Sequence, residues 1–357
     1  MGFELNKSYS GFRLTKKEEI AEIKSLGLFF EHDVTGAELL VLENDDDNKV
    51  FSATFRTPPE NDTGIARILE HSVLCGSKNF PVKEPFVELM KGSLQTFLNA
   101  MTFPDKTMYP VASRNRKDFF NLMNVYLDAV FYPNISEETF KQEGWHYELN
   151  SPEGKIVYKG VVLNEMKGEF SSPESCIDRQ LAHSLFPSTP YGYESGGDPK
   201  SIPDLTYTDF KDFHKKHYHP SNSRLFLYGD GDTQSYLEFL QEKYLQDFGH
   251  MDVNTSIAHQ RSFRKPKRKS LTYPVSSHES PEKKTFVLVG TKLDKAINHE
   301  HCLGFSILSH LLLGSSASPL RKALITSELG SEVIGGGFDD NRADTIFAVG
   351  LKGTEPE

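Results

Sequence analysis

Arg67-Ile68-Leu69-Glu70-His71 is the pattern H-x-x-E-H with arginine in place of its first histidine. Positions 67 and 71 on a helix are one turn apart, so imidazoles at both would point from one face toward a single metal ion. The glutamate before the second histidine could take a proton from metal-bound water without becoming a ligand itself. That is the chemistry of metal-assisted hydrolysis. Arg67 breaks the set, because a guanidinium stays protonated and has no lone pair to donate. Glu70 and His71 remain. Five residues alone mean little, since Glu-His pairs in helices are common and usually inert.

The surroundings are more specific. Gly64 to Ser77 is followed by Lys83-Glu84-Pro85-Phe86, by Leu98-Asn99-Ala100-Met101-Thr102-Phe103-Pro104-Asp105, by Glu143-Gly144-Trp145-His146-Tyr147-Glu148-Leu149 and by Val162-Leu163-Asn164-Glu165-Met166-Lys167-Gly168. In this order and spacing, from about residue 15 onward, the chain resembles the pitrilysin/insulinase family of zinc metallopeptidases, in the branch of the presequence proteases and falcilysin. The resemblance implies that Glu70 is the general base, that His71 and Glu165 are metal ligands, and that Arg67 occupies the first-ligand position. It also implies that Leu98, Asn99, Ala100, Met101 and Thr102 form an edge strand on which a substrate lies. Such a strand offers unpaired N–H and C=O groups, reads backbone rather than side chains, and so takes peptides of many sequences. The alternative is an ordinary capped edge.

Zinc is the cofactor this resemblance implies, but two donors stand where three are needed, so binding is expected to be weak or absent. Arg67 has two readings. It is a substitution in an otherwise active enzyme, or it is native and its planar guanidinium reaches toward Glu70 and Glu165 in the metal's stead.

An internal repeat sets the elements that must position these residues. Ile68 to Ser77 recurs as Ile307 to Ser316, the strand Lys49 to Phe55 as Lys284 to Gly290, and the hairpin Phe97 to Ala112 as Glu332 to Gly350. Each copy reads as strand, helix, helix and antiparallel hairpin. The fold class is therefore α+β: two pitrilysin-type repeats, each a mostly antiparallel sheet with helices packed on one face, the second repeat incomplete. Residues 1–260 form the first repeat with its degenerate zinc site, 261–282 a basic linker, and 283–357 a truncated, non-catalytic second repeat. Ser306 and Ser309 take the positions of the first histidine and the base in that copy, so His310 is expected to pack as a structural residue. In the first copy, Phe119, Leu122, Met123, Tyr126, Leu127 and Val130 recur at helical spacing over 115–131. Ser136 precedes Glu137 and Glu138 as an N-cap, Glu165 falls in a further helix or its start, and Pro220 ends a helix that begins near Tyr207.

Other constellations have blander readings. His214, His217 and His219 are spaced for a metal, yet they sit at a helix end among lysines, where histidines commonly meet terminal carbonyls. His146 and His183 read as packed, hydrogen-bonded histidines, and Cys75 as a buried helix residue. Gly335-Gly336-Gly337 lacks the strand-to-helix context of a phosphate loop, and no G-x-S-x-G elbow occurs.

A formal charge of −10 disfavours nucleic acid as a partner. The exception, Arg261 to Lys269, reads as a solvated linker rather than a binding patch. No apolar run reaches membrane-spanning length, and Met1 to Ile20 resembles neither a secretory signal nor a transit peptide. Three cysteines, Cys75, Cys176 and Cys302, give no disulfide framework. The setting expected is cytoplasmic. The resemblance thus implies a zinc-dependent endopeptidase acting on unfolded peptides together with a C-terminal half of the full-length protein, impaired here by Arg67. Two alternatives are a non-catalytic peptide-binding or structural homologue and a metal-binding module at His214 to His219.

Overall fold

A computed structural model gives the fold and describes residues 2–83, 85–273, 275, 278 and 280–355. Glu84 of the Lys83–Phe86 segment, four positions of the expected linker (Pro274, Ser276, Ser277 and Glu279) and the terminal Met1, Pro356 and Glu357 lie outside the described residues. The chain divides into two compact units: residues 1–58, 63–164 and 195–255 in the first, and 59–62, 165–194 and 256–357 in the second.

The first unit is built on a nine-stranded sheet among the described residues. Its strands are β1 (Ser8–Tyr9), β2 (Phe12–Ile20), β3 (Ser25–His32), β4 (Glu38–Glu43), β5 (Lys49–Arg56), β6 (Gln95–Leu98), β7 (Met101–Thr102), β8 (Lys106–Ser113) and β11 (Ser223–Gly229). They run in the order β1-β2-β3-β4-β11-β5-β8-β6, with β7 also beside β8. Among the described residues only β4 and β11 pair in parallel. A separate hairpin joins β9 (His146–Leu149) to β10 (Ile156–Lys159).

Helices α1 (Ile65–Val73), α2 (Pro85–Gly92), α3 (Arg116–Phe131), α4 (Glu137–Glu143), α7 (Tyr207–His217) and α8 (Thr233–Lys243) belong to this unit. The six periodic residues of α3 are all fully buried, and α3 packs on β5 and β8, whose Phe51, Ala53, Phe55, Tyr109 and Val111 alternate into the same core. Asn115 and Ser136 cap α3 and α4 by accepting from Asp118 N and Thr139 N. Helix α7 ends at His217, before Pro220, as expected.

The division between units falls inside α5 (Val161–Glu169). The second unit holds α6 (Pro173–Leu185), β12 (Thr285–Lys295), α9 (His299–Leu313), α10 (Pro319–Thr326), β13 (Glu332–Asp339) and β14 (Asp344–Thr354). Its sheet, ordered β12-β14-β13, is wholly antiparallel. The succession β12, α9, α10, β13, β14 repeats the succession of β5, α1, α2 and the β6–β8 hairpin. Its core gathers Leu185, Phe186, Tyr191 and Ile346. Beside it the fully buried Asp344 accepts from Gln260 N at 2.7 Å and lies 3.0 Å from His259 Nδ1. His310 does not pack as expected. It is exposed on α9, and Leu303, Ile307, Leu308 and Leu311 of that helix are exposed as well.

Candidate active site

Helix α1 carries Arg67, Glu70 and His71, and its start is fixed by Gly64. That residue has φ +69°, and a Cβ there would lie 2.5 Å from the carbonyl oxygen of Gly196. Only glycine meets both demands at low cost. Ile65, Ala66, Ile68, Leu69, Ser72 and Val73 bury the body of the helix, while Arg67 stays half-buried. Glu70 is buried, at 8% exposure.

The expected edge strand is two short strands. β6 ends at Leu98, β7 begins at Met101, and Asn99 and Ala100 between them follow β8 without strand pairing apart from a bond from Asn99 N to Pro110 O of 3.2 Å. β6 is the last strand of the sheet, so its outer edge carries no neighbouring strand among the described residues. Two side chains tie this edge to the helices. Thr102 Oγ1 donates to Glu70 Oε2 at 2.5 Å, and Tyr126 OH of α3 donates to Asn99 O at 3.2 Å. Glu70, the expected base, and the expected docking strand therefore share a hydrogen bond.

His71 meets a residue that the sequence marks only as part of the Glu143–Leu149 segment. Its Nδ1 lies 3.4 Å from Oε2 of Glu143, the last residue of α4. Burial pushes the Glu143 carboxyl up, but hydrogen bonding from His71 and Gln142 outweighs it and leaves the group below its ordinary range. Behind Glu70 stand buried tyrosines. Tyr109 and Tyr218 share a hydrogen bond of 2.7 Å. Burial, with the Glu70 charge as a lesser cause, raises the Tyr109, Tyr126 and Tyr218 hydroxyls above their usual range, so all three remain protonated. No feature of the sequence marks these partners as belonging to the site.

Glu165 lies in α5, on the second unit's side of the division. The alternative ligand group does not converge: His214 Nε2 lies 2.9 Å from Val130 O, His217 Nδ1 3.2 Å from Arg56 O, and His219 Nδ1 accepts from Ser221 N. His146 and His183 likewise bond main-chain carbonyls, of Lys141 and Gly192. Cys75 lies just beyond α1 and is half-buried rather than buried within it.

The sequence pattern of the insulinase family (peptidase family M16) matches residues 55–166, and that of the peptidase M16 inactive domain matches residues 204–357. The chain belongs to the M16 family. It is 51% identical to protein HypA of Clostridium perfringens over 99% of its length, and 50% identical to presequence protease 1, chloroplastic/mitochondrial, of Arabidopsis thaliana over 97%. It is 40% identical over 98% of its length to the mitochondrial presequence protease of Xenopus laevis. It spans 37%, 32% and 35% of those three proteins, about a third of each. Solved structures agree in fold. The peptidase M16 inactive domain from Pseudomonas fluorescens superposes with a TM-score of 0.69 at 17% identity, covering 92% of this chain and 74% of that one. Pitrilysin superposes with a TM-score of 0.61 at 14% identity, covering 96% and 35%.

M16 peptidases generally use zinc. The residues present do not fit it. A catalytic zinc takes three protein donors, Arg67 supplies none, and among the described residues no group of three or more His, Cys, Asp or Glu side chains could hold a metal. No helix among the described residues is long and apolar enough to cross a membrane.

Proposed function

We propose that this chain is the peptide-binding portion of a presequence protease-type M16 endopeptidase. Unstructured peptides add to the outer edge of β6 and run on past Asn99 and Ala100 to β7. The observation that carries this reading is the hydrogen bond from Thr102 to Glu70, which holds the docking strand against the residue that serves as general base. Main-chain pairing supplies the affinity, so specificity is broad. Glu70 would accept a proton from the attacking water, and Tyr109, Tyr126 and Tyr218 form the low-dielectric wall behind it.

Catalysis by this chain as it stands is impaired, because Arg67 fills the place of a metal ligand. The same substitution favours a second reading, a non-catalytic homologue that holds peptides without cutting them. Both readings take residues 1–260 as the first repeat, 261–282 as a linker and 283–357 as the second repeat. Both require a C-terminal half to close around the peptide, and both use neither nucleic acid nor a membrane. Both readings keep a cytoplasmic setting, although relatives are named as mitochondrial or chloroplastic.

Hydrogen exchange with an unstructured peptide tests the common core. Amides of 95–102 should gain protection without added metal, and protection confined to another surface defeats both readings.

A further inference from the structure

We propose that the cavity between α2 and α3 is a recognition subsite at the start of the docking edge, and that it takes a lysine or arginine side chain of the bound peptide. The inference rests on the reading of β6 as the peptide-docking strand.

The cavity has a volume of about 260 Å3, and Phe80, Val82, Leu89 and Val125 are among the apolar residues that line it. Glu88 and Asp118 are its acidic residues. One hydroxyl ties Asp118 to the docking edge. Ser93 Oγ donates to both carboxylate oxygens of Asp118 at 2.9 Å and accepts at 3.1 Å from the amide of Gln95, the first residue of β6. Asn115, the cap of α3, accepts from the Asp118 amide at 3.0 Å, so the carboxylate stands on the first turn of that helix.

The charges at the cavity are poorly matched from within. A carboxylate can accept about four hydrogen bonds, and Ser93 brings a single proton. Among the described residues Asp118 forms no ion pair. Glu88 meets Lys91 at 3.4 Å, with both side chains more than two-thirds exposed, and such a pair is worth little.

These features select the occupant. An apolar side chain would suit the walls but would desolvate the Asp118 carboxylate without a counter-charge, and an acidic one would be repelled. Lysine and arginine bring an aliphatic stem for the walls and a cationic end for the carboxylates. The formal charge of −10 attracts cations to the whole chain, whereas this cavity attracts one at a fixed place along the edge. Gln95 and Thr102 are seven residues apart. That is about 23 Å of extended chain, so the basic residue lies about seven positions from the peptide residue held against Thr102.

Fluorescence anisotropy of unstructured peptides with the full chain reads the subsite. Each peptide has about twelve residues, enough to cover Gln95 to Thr102, and carries one arginine that is moved one position at a time. Citrulline or norleucine replaces the arginine in the partner series. At one position arginine should bind about 5- to 10-fold tighter than citrulline, between the worth of an exposed ion pair and that of a hydrogen bond to a charged group. Asp118→Asn should remove this advantage, and Glu88→Gln, at an exposed position outside the core, should reduce it. An advantage of equal size at every position, or one that survives in both variants, overturns the proposal. Norleucine binding as tightly as arginine overturns it too. Hydrogen exchange at 95–102 reads the docking strand separately. If no peptide protects those amides, the docking reading fails and the cavity is read by itself with N-acetylargininamide. Amide shifts at Ser93 and Asp118 that are absent with the citrulline analogue and in Asp118→Asn support the cation subsite, and the absence of shifts overturns it.

Discussion

Thr102 and Glu70 are joined by a 2.5 Å hydrogen bond between a two-residue strand and a buried helix. The threonine hydroxyl is the donor and the carboxylate the acceptor. Through this bond the end of the proposed peptide-docking edge is tied to the proposed general base, and Tyr126 OH donates to the neighbouring Asn99 carbonyl. A peptide added to the edge would therefore be registered against Glu70 rather than merely near it.

Thr102→Val keeps the shape of the side chain and removes the donor. Hydrogen bonds to charged groups are worth about 1.5–3 kcal/mol, so urea denaturation should show a loss of about 1–3 kcal/mol. Thr102→Ser should recover most of it. Equal loss in both variants would assign the effect to packing of the methyl group and not to the bond.

Arg67→His should raise zinc content to near one per chain, because the helical spacing to His71 is already in place and Glu165 is the third donor in this reading. Metal analysis after gel filtration checks it. Peptide cleavage is expected only when the C-terminal half is present too. If the variant holds no more zinc than the parent, His71 and Glu165 are not ligands.

Acid should destabilise the first unit through His214. Burial drives this histidine down to about 4, from a usual 6.5, while its Nε2 bonds the Val130 carbonyl. Between those values the unfolded chain binds a proton that the folded one excludes, so stability is fully present above about 6.5 and falls as pH drops toward 4. His32 and His219, also held down chiefly by burial, add in the same direction. Unfolding free energies measured across this window should decline less steeply in His214→Gln, and an unchanged slope would remove His214 as a cause.

His310→Ala should change stability by no more than about 0.5 kcal/mol, because the ring is exposed. A loss well above that in thermal or urea unfolding would mean that the histidine has a packing role after all.

Much of this protein follows from sequence alone because the deciding signals are local. The period of Phe119 to Val130 made α3, the side chains of Asn115 and Ser136 started two helices, Pro220 marked the end of α7, and the recurrence of Ile68 to Ser77 at Ile307 to Ser316 announced two similar successions of elements. The replacement at Arg67 is likewise a matter of residue chemistry, since no conformation gives a guanidinium a lone pair.

Only the tertiary structure decided the rest, because it depends on residues far apart in the chain. Leu98 to Thr102 reads as one strand, yet pairing along β8 divides it at Asn99 and Ala100. Thr102 looked like one of five equivalent docking residues, and the packing of β7 against α1 turned its hydroxyl onto Glu70. Glu143 belongs to another helix, and no spacing rule connects it to His71; Gly144, where a Cβ would lie 3.2 Å from Ile68 Cγ2, lets the two helices approach. The three histidines after Phe213 have the spacing of a metal site, but the fold gives His214, His217 and His219 separate backbone partners. Spacing fixes which side chains share a helix face, whereas the partners they meet depend on how distant segments pack.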